Sequence, residues 1–215
     1  MIPRILHYVW IPSGPDDQPN EFAIACQAQA MDLHPGWSIQ EHCDASLFSD
    51  DLLAPVRPLL ASAWAKFDGK HNARSDLLRL CALYVSGGVY LDYDVWPIKP
   101  LDRLLDKELL LSCNSFQPFV VGEHIIGAPP QSQSILKVIR HFCRVSPNEE
   151  DGKYSPQLAR FCWYYGWEAH MPDVFCPHPR KATADELYRV TPVTHAIHCW
   201  SPLGYDLGRL KSLRN

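Results

Sequence analysis

The sequence predicts an α/β fold in which a mixed, mostly parallel central sheet is flanked by helices, and three observations carry that prediction. An apolar strand pattern opens the chain at Ile2–Ile11, strand and helix patterns then alternate as far as Pro100, and a helix that is apolar around most of its circumference runs through Ser86-Gly87-Gly88 into a short buried strand.

Taken in order, Ile2–Ile11 reads as a central strand ended by the turn Pro12-Ser13-Gly14-Pro15, and a helix follows from about Asn20 to Leu33. His34-Pro35-Gly36 punctuates, and Trp37–His42 alternates as a second strand. Residues 46–70 read as short helices broken by Pro55 and Pro58. The helix Asn72–Val85 carries Leu77, Leu78, Leu80, Cys81, Leu83, Tyr84 and Val85, which marks it as buried. Glycine at 87 and 88 stops it and reverses the chain into Val89-Tyr90-Leu91, where Tyr90 and Leu91 read as core. Beyond Pro100, Leu109–Cys113 and Val120–Ile126 are expected strands and Gln131–Cys143 an expected helix. Pro147–Lys153 reads as a loop, Ser155–Tyr165 as a second helix, and Val193–Ile197 as the last regular element. All strands are expected in one sheet.

Chemistry concentrates where that buried strand ends. Side chains alternate along a strand, so Asp92 and Asp94 face one way and Tyr93 the other. Two hard oxygen ligands on one side suit magnesium or manganese and leave coordination positions open for phosphate oxygens. On the preceding helix Asn72, Ser75, Asp76 and Arg79 recur at three- and four-residue spacing and form one polar stripe on an otherwise apolar helix. Near a cation this stripe suits hydroxyl and phosphate binding, although Asp76 and Arg79 equally suit a plain ion pair near a helix start.

Composition bounds the rest. The chain has 215 residues, 47% hydrophobic and 20% charged, values that fit one globular domain. A net charge of −4 offers no general attraction to nucleic acid or anionic lipid, and Arg180, Lys181, Arg209, Lys211 and Arg214 are too few to support a nucleic-acid acceptor, which is not excluded. No run of about 18 apolar residues is present for a membrane span, and the N-terminus does not open a secretory signal, so a cytoplasmic protein is expected. Eight cysteines at wide spacing read as reduced core thiols. Cys176, His178, His195, His198 and Cys199 offer zinc-ligand chemistry without a CxxC pair or HExxH helix to organise it.

Three ordered motifs, Leu6–Ile11 (LHYVWI), Ala73–Arg79 (ARSDLLR) and Gly87–Asp94 (GGVYLDYD), together resemble the DXD-containing glycosyltransferases of family 32, over roughly residues 2–100. These include the yeast outer-chain initiating mannosyltransferase and the α-1,4-galactosyltransferases, and share core motifs with the large clostridial glucosylating toxins. The resemblance implies a GT-A fold, a nucleotide-sugar donor, manganese or magnesium, and retention of anomeric configuration. It also implies that residues 1–100 hold donor and metal while 101–215 supply the acceptor side and a closing motif. Carried onto this chain, Val9 and Trp10 would bind the donor's base, Trp10 by stacking, with a core tryptophan as the plainer alternative. Asp76 would contact donor hydroxyls, Arg79 the diphosphate or sugar, Asp92 ribose and metal, and Asp94 the metal directly. Ala196–Ser201 (AIHCWS) resembles the family's closing motif, so His198 would be the third metal ligand, favouring manganese, and Trp200 and Ser201 would close over the donor. The family's further Ser-Trp is replaced here by Pro202-Leu203-Gly204. Where the family lines the reacting sugar and often carries Asn, this chain has Glu123 and His124, candidates for sugar or acceptor contact with a surface loop as the alternative. His7 is expected to be a satisfied interior histidine.

The function expected is transfer of a hexose from a nucleotide sugar, UDP-linked rather than GDP-mannose, to a hydroxyl of a glycan, glycolipid or other acceptor. Front-face attack with a donor phosphate oxygen taking the proton would need no protein base. Paired acids and an arginine also serve metal-dependent nucleotidyltransferases and phosphohydrolases, and a non-catalytic nucleotide-sugar binding protein can share a fold.

Overall fold

The computed structural model describes residues 1–113, 121–144, 167–175, 177–178, 183, 186–200 and 205–213. The first half follows the expected order: strand β1 (Ile5–Val9), helix α1 (Glu21–Leu33), strand β2 (Ser38–His42), two 3-10 turns (Ala45–Ser49 and Asp51–Val56), α2 (Arg57–Lys66), α3 (His71–Ser86) and β3 (Gly88–Leu91). Asn20 caps α1 by accepting the Ala23 amide at 2.9 Å. Pro55 lies inside the second 3-10 turn, but Pro58 opens α2 rather than breaking a helix, because a first-turn proline has no intrahelical N–H bond to lose.

A five-stranded sheet runs in the order β2-β1-β3-β6-β5, completed by β5 (Leu110–Cys113) and β6 (Val121–Ala128). Pairings β1–β2 and β1–β3 are parallel, whereas β3–β6 and β5–β6 are antiparallel. The expectation of a mostly parallel sheet is therefore corrected to an even mixture, and the expectation of a single sheet fails as well. After the DXD sequence the chain leaves the sheet, and β4 (Val95–Pro97) pairs antiparallel with β7 (Ala196–His198) in a separate ribbon. Strand β7 starts three residues later than expected, because Thr191–Thr194 closes a turn. Regular structure does not end there: a helix, Leu207–Ser212, follows, capped by Asp206 and seated by Leu210. The loop expected over 147–153 and the helix over 155–165 lie outside the described residues.

Alternation along β1 and β3 sorts the core. Val9 and Tyr90 point to the side covered by α2, α3 and α4 (Gln133–Phe142), while Leu6, Tyr8, Val89 and Leu91 point to the other side with Ile125 and Phe175. Leu77, Leu78, Leu80 and Leu83 of α3 are completely buried, each contributing about 2 kcal/mol. α3 ends at Gly87, with φ 65, and Gly88 follows with φ 106; a side chain at Gly88 would sit 2.6 Å from the Ile5 carbonyl oxygen. No helix among the described residues is long and apolar enough to cross a membrane. Of the described cysteines, Cys26, Cys81, Cys113, Cys143 and Cys199 are reduced and buried, as expected, whereas Cys43, just past β2, is reduced but exposed and so is not a core thiol.

His7 joins β1 to this turn. A carbonyl only accepts, so Nε2–H donates to the Gly87 oxygen at 2.6 Å and Nδ1 accepts from His42 Nε2 at 3.1 Å. The interior, satisfied histidine expected from sequence is what the structure contains. Burial pushes its imidazole from 6.5 down to about 4, against the opposing pull of the Gly87 carbonyl. The unfolded chain therefore binds the extra proton between these values, so this contribution is whole above pH 6.5 and is lost as pH falls towards 4, about 3 kcal/mol in all. His7→Gln, which keeps a donor for Gly87, should flatten the fall of unfolding free energy over that interval in urea titrations; an unaltered slope would contradict the assignment.

Candidate active site

The sheet's C-terminal edges at β1 and β3 open into a cleft of about 760 Å³, within the range of pre-formed small-molecule sites. Asp92 and Asp94 lie at its floor. The strand stops at Leu91, and the pair sits on a turn closed by the Val95 amide to the Asp92 carbonyl at 3.0 Å. Two backbone bonds fix that turn: the Asp92 amide donates to the His124 carbonyl on β6, at 2.9 Å, and the Asp94 carbonyl accepts the Cys199 amide beyond β7, at 2.8 Å. Register opposite Val95 then brings His198 in, with Nε2 3.2 Å from Asp94 Oδ1 and 3.9 Å from Asp92 Oδ2.

One ligand atom from each of Asp92, Asp94 and His198 lies within 4.8 Å of the others, a separation that a divalent ion bridges at its usual bond lengths. With Asp76 and Arg79 included, three carboxylates and one guanidinium leave two formal negative charges, which matches a divalent cation. Two carboxylate oxygens and an imidazole nitrogen are ligand types that a divalent cation accepts. The residues fit such an ion. Zinc drawn from the other expected groups does not find a cluster among the described residues: His195 Nδ1 lies 3.1 Å from the Pro100 carbonyl, and Cys199 is buried in a separate apolar cluster. Cys176 lies outside the described residues.

Arg79 lies behind the carboxylates. Its side chain is only 7% exposed, with Nη2 2.6 Å from Asp76 Oδ1 and Nη1 both 3.2 Å from Asp92 Oδ1 and 2.8 Å from the Glu123 carbonyl. Tyr90, expected simply as core, is core on its ring and polar at its tip: the hydroxyl donates to Asp92 Oδ1 at 2.5 Å, and the guanidinium stacks over the ring at 4.3 Å. Burial raises the phenol pKa well above its ordinary value, so it remains a donor. Asp92 Oδ1 is thus held from behind, while Oδ2 is the oxygen nearer His198.

The cleft's other walls include Val9, Trp10, Asn72, Ser75, Glu123, His124 and Trp200. Trp10 donates its indole N–H to the Asp17 carbonyl at 3.3 Å and meets Tyr93 edge-on. Tyr93 diverges from the aspartates, donating to Glu41, yet lines the cleft rather than leaving it. The surface-loop alternative for Glu123 and His124 is overturned: both lie on β6, and His124 is 1% exposed. Burial drives the His124 imidazole well below its ordinary value, with His198 adding to the effect. Glu123 Oε1 and His124 Nε2 are buried without a hydrogen-bond partner among the described residues. Ser201 lies outside the described residues.

Sequence reasoning missed Ser13, Asp17, Asn20 and His71, which complete the rim. Asp17 accepts from the Ser13 hydroxyl and amide, contacts that hold its carboxyl below the usual range. The available signal was position: the proline-rich stretch after β1 leaves the C-terminal end of a sheet strand, where α/β folds place ligands.

Comparison with known proteins places this geometry. Residues 23–111 match the family described as the glycosyltransferase sugar-binding region containing a DXD motif. Inositol phosphoceramide mannosyltransferase 3 of Schizosaccharomyces pombe is 26% identical over 68% of this chain and 39% of its own length. Mannosyl phosphorylinositol ceramide synthase CSH1 of Saccharomyces cerevisiae is 27% identical over 65% of this chain and 35% of its own. The chain thus spans under half the length of these curated relatives. Among solved structures, the PaToxG glycosyltransferase superposes with a TM-score of 0.61 at 15% identity, covering 77% of this chain and 70% of that one, which establishes a shared GT-A fold. The aspartate turn and the helix that backs it fall within residues 23–111, the stretch of this chain that is similar to the DXD-type glycosyltransferase sugar-binding region.

Proposed function

We propose that this chain is a metal-dependent, retaining glycosyltransferase that moves a hexose from a nucleotide sugar to an acceptor hydroxyl. The convergence of Asp92, Asp94 and His198 at the floor of a cleft of nucleotide-sugar size carries the reading. A divalent cation held there, preferably manganese, would supply Lewis-acid neutralisation of the charge that develops on a departing diphosphate. The chain's own groups do the rest. Asp92 and Asp94 hold their carboxylates ready, Arg79 and Tyr90 fix Asp92 in place, and the half-buried Trp10 on the cleft wall supplies an indole ring on which the base would stack, beside Val9. Asp76, Asn72 and Ser75 supply polar contacts for donor hydroxyls, and Glu123 faces the sugar or acceptor. Trp200 also lines the cleft.

The deep seat of Arg79 favours a positioning and electrostatic role through Asp76 and Asp92 over direct grip on the diphosphate. Retention follows if the acceptor attacks from the leaving-group face and a donor phosphate oxygen takes its proton, a route that asks no base of the protein. Uridine donors remain the expectation from the Val9-Trp10 motif, while one relative named as a mannosyltransferase and one named as a mannosyl phosphorylinositol ceramide synthase favour a mannosyl donor. Those names also put an inositol phosphoceramide glycolipid first among acceptors.

Incubation with a panel of UDP- and GDP-sugars, with manganese or with chelator, decides the reading. Manganese-dependent release of nucleoside diphosphate supports it; cleavage between the phosphates would instead mark a nucleotidyltransferase or phosphohydrolase, and binding without turnover on a broad acceptor panel a binding protein. Anomeric configuration of the product by NMR tests retention.

Asp94→Asn should reduce transfer about 100-fold or more with no loss of melting temperature, since it removes one of two neighbouring like charges. Arg79→Ala should behave oppositely in stability, costing about 3–5 kcal/mol in denaturant unfolding because it breaks the buried ion pair with Asp76 at 2.6 Å. Trp10→Ala should raise donor KM about 5- to 150-fold with little change in kcat, the expected loss of a stacking contact of about 1–3 kcal/mol.

A further inference from the structure

Two rings flank the His198 imidazole. The His124 ring centroid lies 4.4 Å away with planes 19° apart, and that of Trp200 4.0 Å away with planes 31° apart. Rings this close and this nearly parallel occupy opposite faces of the imidazole, since both cannot fill one volume. Each flanking ring is also anchored independently. His124 sits in β6, and its carbonyl accepts the Asp92 amide. Trp200 donates its indole N–H to the His178 carbonyl at 3.4 Å and holds a left-handed backbone, φ 46, that is uncommon for a bulky residue and costs about 1–3 kcal/mol.

What His124 offers His198 is a ring face. Its Nε2 is buried and has no hydrogen-bond partner among the described residues, so no hydrogen bond from that nitrogen accounts for the contact. The stack leaves the His198 ring little room to turn about its terminal torsion, which is otherwise broad for imidazoles. In that orientation Nε2 is directed towards Asp94.

We propose that His124 is a positioning residue for the cation site: by stacking on His198 it holds the imidazole with Nε2 facing Asp94, and thereby sets the affinity of the Asp92–Asp94–His198 group for a divalent cation. The proposal rests on the reading of those three residues as metal ligands. Groups that orient metal-binding histidines usually do so by hydrogen bonds, and their loss weakens metal binding about 10- to 100-fold; a stacked ring restrains the imidazole towards the same end.

The test uses the purified 215-residue chain and Mn²⁺ alone. Affinity is read from the free-ion EPR signal, and histidine ligation from the ¹⁴N modulation of bound Mn²⁺ in pulsed EPR. His124→Ala should weaken binding about 10-fold or more and diminish the ¹⁴N modulation at saturating Mn²⁺, whereas His124→Phe, which restores a ring, should stay within about threefold of the parent and keep it. His124→Leu fills the volume without a ring and replaces the alanine variant should that one fail to fold, with the same losses expected. A ring-free variant that binds like the parent with full ¹⁴N modulation overturns the proposal, and so does a phenylalanine variant as weak as the ring-free one. A parent that binds Mn²⁺ without ¹⁴N modulation, or not at all, removes His198 or the whole site from metal binding, and the proposal falls with it; that failure shows in the parent itself.

Discussion

A guanidinium almost without solvent contact lies between two carboxylates, and the cleft floor is built around it. Arg79 cannot be buried alone, because the desolvation of an unpaired charge is costly; its partners, Asp76 one turn back on α3 and Asp92 at the end of β3, make it tolerable. The same contacts tie the central helix to the central strand at the point where the chain leaves the sheet. Arg79 also reaches the Glu123 carbonyl on β6, so three elements meet at one side chain. Asp94 then adds a carboxylate that this guanidinium does not offset, and the floor is left with the charge that a divalent cation would neutralise.

Preorganisation follows from backbone as well as from side chains. The aspartate turn is bonded on one flank to β6 and on the other to the residue after β7, so its carboxylates are presented by a short, doubly held loop. Ligands placed in this way keep their geometry without a ligand to order them, the condition for electrostatic stabilisation to act in the transition state rather than be spent on rearrangement. The ribbon β4–β7 exists for the same reason: it carries His198 from the far end of the chain to the aspartates. The three-ring stack extends the arrangement from position to orientation.

Much of this was legible along the chain because the signals are local. Helix α3 announces itself by apolar residues on nearly every side, and Gly87 and Gly88 mark its end because their backbone angles exclude other residues. Asp92 and Asp94 stand out as acids that follow a buried strand, and Asp76 and Arg79 as charges on a buried helix. His198 and Trp200 came from a motif resemblance rather than from any local pattern, and the structure brings both to the cleft.

The sequence by itself determined the order of elements in the first half, the helix that backs the site, and the identity of the acidic pair, since periodicity and turn chemistry act over a few residues. Tertiary structure alone decided that half the main-sheet pairings are antiparallel, that β4 leaves to pair with β7, that Tyr90 turns its hydroxyl on Asp92, and that His124 lies against His198. Those outcomes depend on contacts between residues tens of positions apart or on which atom of a side chain finds a partner, and neither is encoded in the spacing of apolar and polar residues along one segment.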